Sequence, residues 1–180
     1  MLKRMLHRTI AKLEREFDYD ATYLHEVTDV SPAASIKFAL FQPMANHRDQ
    51  APRDAYCAAR IAATLSEDCG PCTQLVVDFA LKAGMDPRRI AAILRGDLEQ
   101  AGEEAELGFR YGIAVAQNTV DAPALAEEVK KRFGKRALVS MAYAVACSRV
   151  YPTLKRGLGH GVACSKINVT DETIVVWQAA

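Results

Sequence analysis

The sequence predicts an all-α bundle of about seven or eight helices with a possible short C-terminal β-hairpin. Three observations carry that expectation. Apolar residues recur at spacings of three and four along most of the chain. Proline and glycine fall where helices start and stop. Strand-like runs appear only at the C-terminal end. The chain has 180 residues, half of them hydrophobic, which suits a single domain over 1–180.

Leu2, Met5, Leu6, Ile10, Leu13 and Phe17 form one apolar stripe and predict a first amphipathic helix. Asp18 to Pro32 has mixed polarity and reads as a connector. Ser31-Pro32 reads as an N-cap and first helical residue for a helix over Ala33 to Ala39. Residues 44–52 hold Asn46, Asp49 and Pro52 and read as a loop. Arg53 to Leu65 is rich in alanine, which predicts a helix packed closely on its neighbours. Cys69-Gly70-Pro71-Cys72 interrupts that pattern and opens the next helix, since proline is tolerated in a first turn. Gly84 fits the C-terminal cap of that helix.

Asp86-Pro87 predicts a short helix to Arg95, ended by Gly96. Asp97 caps a further helix reaching about Asn118. Asp121-Ala122-Pro123 starts another, ended by Gly134. The last long helix runs from Lys135 to about Tyr151, before Pro152. Residues 157–161 read as a flexible turn. Ile167-Asn168-Val169 and Ile174-Val175-Val176-Trp177 flank a polar stretch and read as a hairpin or as an extended arm packed on a partner subunit.

Lysine and arginine number 23 against 22 acidic residues, a net charge of +1. This balance lacks the basic excess of a nucleic-acid binder and the charge excess of a disordered chain. The longest apolar candidate, Ala137 to Cys147, falls short of the roughly 20 residues of a membrane span. The N-terminus alternates basic and apolar residues and lacks the uninterrupted apolar core of a signal peptide. The expected location is therefore cytoplasmic. Five cysteines, an odd number, do not suggest a secreted disulfide framework. In a reducing compartment a close pair points to catalysis or metal binding.

Cys69 and Cys72 are that pair. Two thiols at this spacing can close a small disulfide ring, and a helix N-terminus carries about half a positive charge that stabilises a thiolate. The thiolate is the nucleophile in disulfide exchange and peroxide reduction, and a second cysteine converts a sulfenic acid to a disulfide. The helix-terminus argument favours Cys69 as the attacking sulfur and as the more exposed. Glu67 and Asp68 lie just before the pair, where a carboxylate can accept a thiol proton or cap the new helix. Asp78 lies on a different face, and Gln74 reads as a solvated or capping side chain. Cys57, Cys147 and Cys164 read as small core residues. Cys69, Cys72, His160 and Cys164 have acceptable ligand types for zinc, an alternative reading. His7, His25 and His47 read as surface residues, with His47 placed to line a pocket. Arg53, Arg60 and Arg88 read as solvated, and any one of them has the chemistry to bind a substrate carboxylate. There is no Gly-x-Gly-x-x-Gly after a strand and no phosphate loop, so no cofactor is expected.

Cys-Gly-Pro-Cys is also the thioredoxin redox sequence, but the run before it, Asp54 to Ala63, is helical in character. The thioredoxin fold requires a strand there. A long helix, then Glu67-Asp68-Cys69-Gly70-Pro71-Cys72, then an apolar helix to Ala83-Gly84-Met85, resembles the core of the carboxymuconolactone decarboxylase/alkylhydroperoxidase D family over roughly residues 50–120. The resemblance implies a redox pair at Cys69 and Cys72, with Cys72 reacting with peroxide and Cys69 resolving. It also implies a homo-oligomer, often a trimer or a multiple of one. The family's relay histidine falls on Val76 and its upstream glutamate near Cys57, so neither is present. The decarboxylase branch does not need the pair. The expected activity is thiol-based oxidoreduction of a peroxide or disulfide, with a thiol reductant as partner. The alternatives are a non-catalytic oligomeric binding or scaffold protein of the same fold, or a metal-binding protein.

Overall fold

The computed structural model of the protein describes residues 1–161 and 166–177. It is mostly helical with a small C-terminal hairpin: α1 (Leu2–Phe17), α2 (Thr22–Val30), α3 (Pro32–Ala39), α4 (Gln42–Ala45), α5 (Arg53–Leu65), α6 (Gly70–Lys82), α7 (Pro87–Arg95), α8 (Leu98–Ala101), α9 (Glu103–Gln117), α10 (Ala122–Phe133), α11 (Lys135–Gly157), β1 (Lys166–Val169) and β2 (Glu172–Val175). Helix α5 is the centre. It packs on α6, α9 and α11, and Ala55, Ala58, Ala59, Ile61, Ala62 and Ala63 on it are all fully buried.

The alanines of α5 meet glycines of α9. A Cβ at Gly108 would lie 2.1 Å from the Ala55 carbonyl oxygen, and one at Gly112 would lie 2.7 Å from that of Ala59. The two backbones are therefore in direct contact, which only small residues on both faces permit. The close packing expected of the alanine-rich segment is present, and α9 supplies its partner face.

The caps read from the sequence fall where expected at two helices. Ser31 Oγ accepts a hydrogen bond from the Ala34 backbone N–H at the start of α3. Asp86 does the same for Arg88 at the start of α7, and Gly96 closes that helix in the left-handed region. Four expectations need correction. The connector 18–32 holds α2, whose Tyr23 and Thr28 are buried although the segment looks mixed in polarity. The loop 44–52 begins only after α4, whose Pro43 sits in its first turn. The helix expected from Asp97 to Asn118 is split at Gly102, whose φ of 88° ends α8 before α9 begins. Helix α11 does not stop at Tyr151 but runs through Pro152 to Gly157. A proline inside a helix costs about 3 kcal/mol. Here Pro152 and Lys155 are buried and Arg156 pairs with Glu67, so tertiary contacts hold the last turns in place.

The tail is a hairpin folded on its own chain. β1 and β2 pair antiparallel, Ile167 opposite Ile174 and Val169 opposite Glu172. Ile167, Val169 and Ile174 are buried against the bundle. Gln74, read from sequence as a solvated or capping side chain, instead brackets β1. Its Oε1 accepts from the Asn168 N–H at 2.8 Å and its Nε2 donates to the Asn168 carbonyl at 2.9 Å. The Trp177 N–H donates to the Leu94 carbonyl, and its ring lies over Gly96. Among the described residues no helix is long and apolar enough to cross a membrane.

Candidate functional site

The turn between α5 and α6 builds the site. Asp68 adopts the left-handed region (φ 48°) and turns the chain, and Cys69 then sits extended as the N-cap of α6. Pro71 occupies the first turn, where it has no intrahelical bond to lose. Thr73 donates through its N–H and its hydroxyl to the Cys69 carbonyl, both at 2.9 Å, which locks the turn. Cys69 and Cys72 are both free thiols. The expectation that Cys69 is the more exposed is not met to any useful degree, because the two are 4% and 3% exposed.

Their ionisation differs sharply. The Cys72 thiol donates a hydrogen bond to Cys69, and this is the main influence that brings the Cys69 thiol down from 9.0 to about 7. Burial opposes it, while the Cys72 backbone N–H and the cations of Lys155 and Arg156 assist. Cys72 is pushed strongly upward by the same hydrogen bond, by burial and by the charge on Cys69. One thiolate with a protonated neighbour is the state this geometry favours.

Two distant segments converge on the pair. From the α1–α2 turn, the Tyr19 hydroxyl lies 3.9 Å from Cys72 Sγ and donates to the Tyr23 hydroxyl at 3.3 Å. Burial raises the ionisation of both phenols above their ordinary range, so they remain neutral. From α11 comes Lys155, 2% exposed, whose ammonium donates to the Asp20 carbonyl at 3.4 Å. That ammonium also stands 5.1 Å and 5.5 Å from the ring centroids of Tyr19 and Tyr23. The same helix brings Arg149 and Arg156 to Glu67.

Glu67 lies buried at the site, held by ion pairs. Arg149 Nε donates to its Oε1 at 2.6 Å and Arg156 Nη2 to its Oε2 at 2.7 Å. Arg156 Nη1 also donates to the Glu67 carbonyl at 3.0 Å. Burial works to raise this carboxyl, but the two guanidiniums outweigh it and hold it below the usual carboxylate range. In this arrangement Glu67 ties α11 to the turn that carries the cysteines. Asp68 contributes the left-handed backbone of the same turn.

A cavity of about 180 Å³ adjoins Cys72. Its walls are mostly apolar, with Leu24, Val76 and Phe79 facing Tyr19, Tyr23 and Tyr151. Val76, the position where the resembled family places its histidine, is thus a cavity wall. Arg60 is the one charged residue among the described lining residues.

The other candidates separate from this centre. Cys57 and Cys147 are buried in the core. Cys164 lies outside the described residues, so the zinc reading reduces to Cys69, Cys72 and His160, and His160 bonds Glu26 at 2.9 Å. Among the described residues no group of three or more histidine, cysteine or acidic side chains could hold a metal ion. His47 stacks edge-on against Tyr143 at 5.7 Å. His7 and His25, read as surface residues, are half-buried and stacked on each other at 4.9 Å. Asp78 accepts from Gln74 at 2.9 Å, away from the thiols. Arg53 pairs with Asp54 and Arg88 with Asp86. Sequence reasoning missed Tyr19, Tyr23 and Lys155. The only local signal for Lys155 is its place beyond Pro152, in a segment expected not to be helical. No family model, curated protein or solved structure matches the chain.

Proposed function

We propose that the chain is a thiol-based oxidoreductase in which Cys69 and Cys72 cycle between dithiol and disulfide. The observation that supports this most directly is geometric: two free thiols in the opening turn of α6, with a cavity against Cys72 and the cations of Lys155 and Arg156 favouring a thiolate at Cys69. Inert core thiols are both pushed upward by burial, as Cys57 and Cys147 are.

Cys69 is the nucleophile in this reading, in place of the Cys72 that the family resemblance implies. With a peroxide, the Cys69 thiolate attacks one oxygen, the O–O bond breaks, and the departing alkoxide or hydroxide takes up a proton from solvent. Cys69 is then a sulfenic acid. Cys72 attacks its sulfur, the S–O bond breaks, and the hydroxyl leaves as water with the Cys72 proton. With a disulfide, Cys69 forms the mixed disulfide and Cys72 displaces the second thiol. Either route ends in a Cys69–Cys72 disulfide that an external dithiol returns to the reduced form. Lys155 and Arg156 support the thiolate, and Glu67 positions Arg156.

The test is coupled peroxide turnover and small-disulfide reduction with a dithiol reductant, comparing wild type with Cys69→Ser and Cys72→Ser. Loss of turnover in both variants supports the cycle. The burial of both sulfurs favours a second reading, a structural thiol pair. Thiols that neither oxidise reversibly nor exchange would establish that one instead.

A further inference from the structure

The cavity beside Cys72 contains two polar atoms that the fold leaves without partners. Ser148 Oγ and Arg60 Nε are both buried and make no hydrogen bond among the described residues. Ser148 as a whole is only 4% exposed. Both residues line the same cavity. Buried polar groups are rarely left unpaired, and each orphan costs about 1–3 kcal/mol.

Arg60 differs from the other arginines singled out in the sequence. Arg53 and Arg88 have carboxylate partners, whereas Arg60 has none among the described residues. Its guanidinium lies 5.7 Å and 5.5 Å from the ring centroids of Tyr56 and Phe79, which fixes its plane and leaves its donors unspent. No acidic side chain lines the cavity among the described residues. Ser148 is placed by an unusual piece of helix. Pro152, four residues on, lacks the N–H that would meet the Ser148 carbonyl in a regular helix, and the Ser148 hydroxyl on this turn of α11 has no partner among the described residues.

We propose that this cavity is a binding site for a small monocarboxylate with an apolar aryl or alkyl body. Its carboxylate pairs with Arg60 and accepts from the Ser148 hydroxyl, and its body lies against Leu24, Val76, Phe79 and the tyrosines, next to Cys72. A planar guanidinium matches a carboxylate in a two-pronged geometry. The size also fits, since a dry apolar cavity of about 150 Å³ holds a benzene ring. Gln42, Asn46 and Thr64 also line the mostly apolar wall, but among the described residues Arg60 carries its one charge and, with Ser148, its buried unpartnered polar atoms. The proposal does not rest on the redox reading, because binding needs no thiol chemistry.

The experiment is calorimetric titration of the full chain, with a thermal-shift check, using phenylacetate, hexanoate and the neutral 2-phenylethanol as probes. Wild type, Arg60→Met and Ser148→Ala are compared. Methionine keeps the apolar stem over the rings, and Ser148→Ala removes an unpaired hydroxyl, so the second variant folds whatever happens to the first. The expected result is saturable phenylacetate binding that raises the melting temperature of wild type. Affinity should fall roughly tenfold or more in Arg60→Met and a few-fold in Ser148→Ala, as loss of charged and neutral hydrogen bonds implies. The alcohol should bind weakly and equally to wild type and Arg60→Met. No binding at millimolar carboxylate overturns the proposal and leaves the cavity to water. So does binding that neither substitution weakens. Carboxylate binding with unreactive thiols would retain this site while refuting the oxidoreductase.

Discussion

Replacing Cys72 with alanine tests the electrostatics of the pair, because the Cys72 thiol is the largest influence lowering Cys69 from 9.0 to about 7. Without that donor the Cys69 midpoint should rise toward its ordinary value. At pH 7 the wild-type thiol is about half ionised, whereas at a midpoint of 9.0 about 1% is ionised, so the thiolate population falls by roughly fiftyfold. A more basic thiolate is also a better nucleophile. With a Brønsted slope of about 0.4–0.5, two units return roughly six- to tenfold. The net expectation is an attack rate at pH 7 roughly five- to eightfold slower in Cys72→Ala, and a rate above wild type at pH 10, where Cys69 is ionised in both proteins. The assay is the initial release of thiopyridone from 2,2′-dithiodipyridine across pH, with the attacked peptide identified by mass spectrometry. The crossing of the two profiles is the signature, since general damage to the fold would not make the variant faster at high pH. A Cys69 midpoint that stays near 7 in the alanine variant would refute the reasoning.

Three further outcomes follow from the same contacts. Lys155→Met should raise the Cys69 midpoint by less than Cys72→Ala does, because the ammonium acts on the thiolate through space and not by a direct bond; an unchanged midpoint in the same thiol titration would remove Lys155 from the site. Glu67→Gln should cost about 1–2 kcal/mol at pH 7, less than a fully buried pair because both arginines are partly exposed. The folded-state carboxyl is depressed below 4.5, so its stabilisation is present above the unfolded value and lost as pH falls through the lowered one; urea unfolding of the two proteins should converge at acid pH. Gly108→Ala forces a methyl to within 2.1 Å of the Ala55 carbonyl, so α5 and α9 must part, and a loss of about 1–3 kcal/mol in urea unfolding is expected.

Helix starts and stops were legible in the sequence wherever local chemistry alone decides them. Ser31-Pro32, Asp86-Pro87 and Gly96 act on their own neighbours, and they fall at the caps the structure shows. The hairpin was legible for a similar reason: Ile167, Val169 and Ile174 alternate with polar residues over a short loop. Its docking was not, because Gln74 lies 94 residues from Asn168 and nothing local marks the pair. The same limit hid α2, whose buried face exists only because α1 and α3 pack on it. It also hid the continuation of α11 past Pro152, where the cost of the proline is local and the compensating contacts are remote.

The sequence by itself determined the helical class, the two thiols at the start of α6 and the small-residue face of α5, because each depends on spacing of a few residues. Only the tertiary structure decided which remote groups surround the thiols, since Tyr19, Lys155 and Arg156 reach them from segments far away in the chain. It likewise assigned Glu67 to a pair of arginines and singled out Arg60 among three equivalent-looking cations. Ionisation and charge pairing depend on distance and burial, and those quantities come into being only when remote helices pack together.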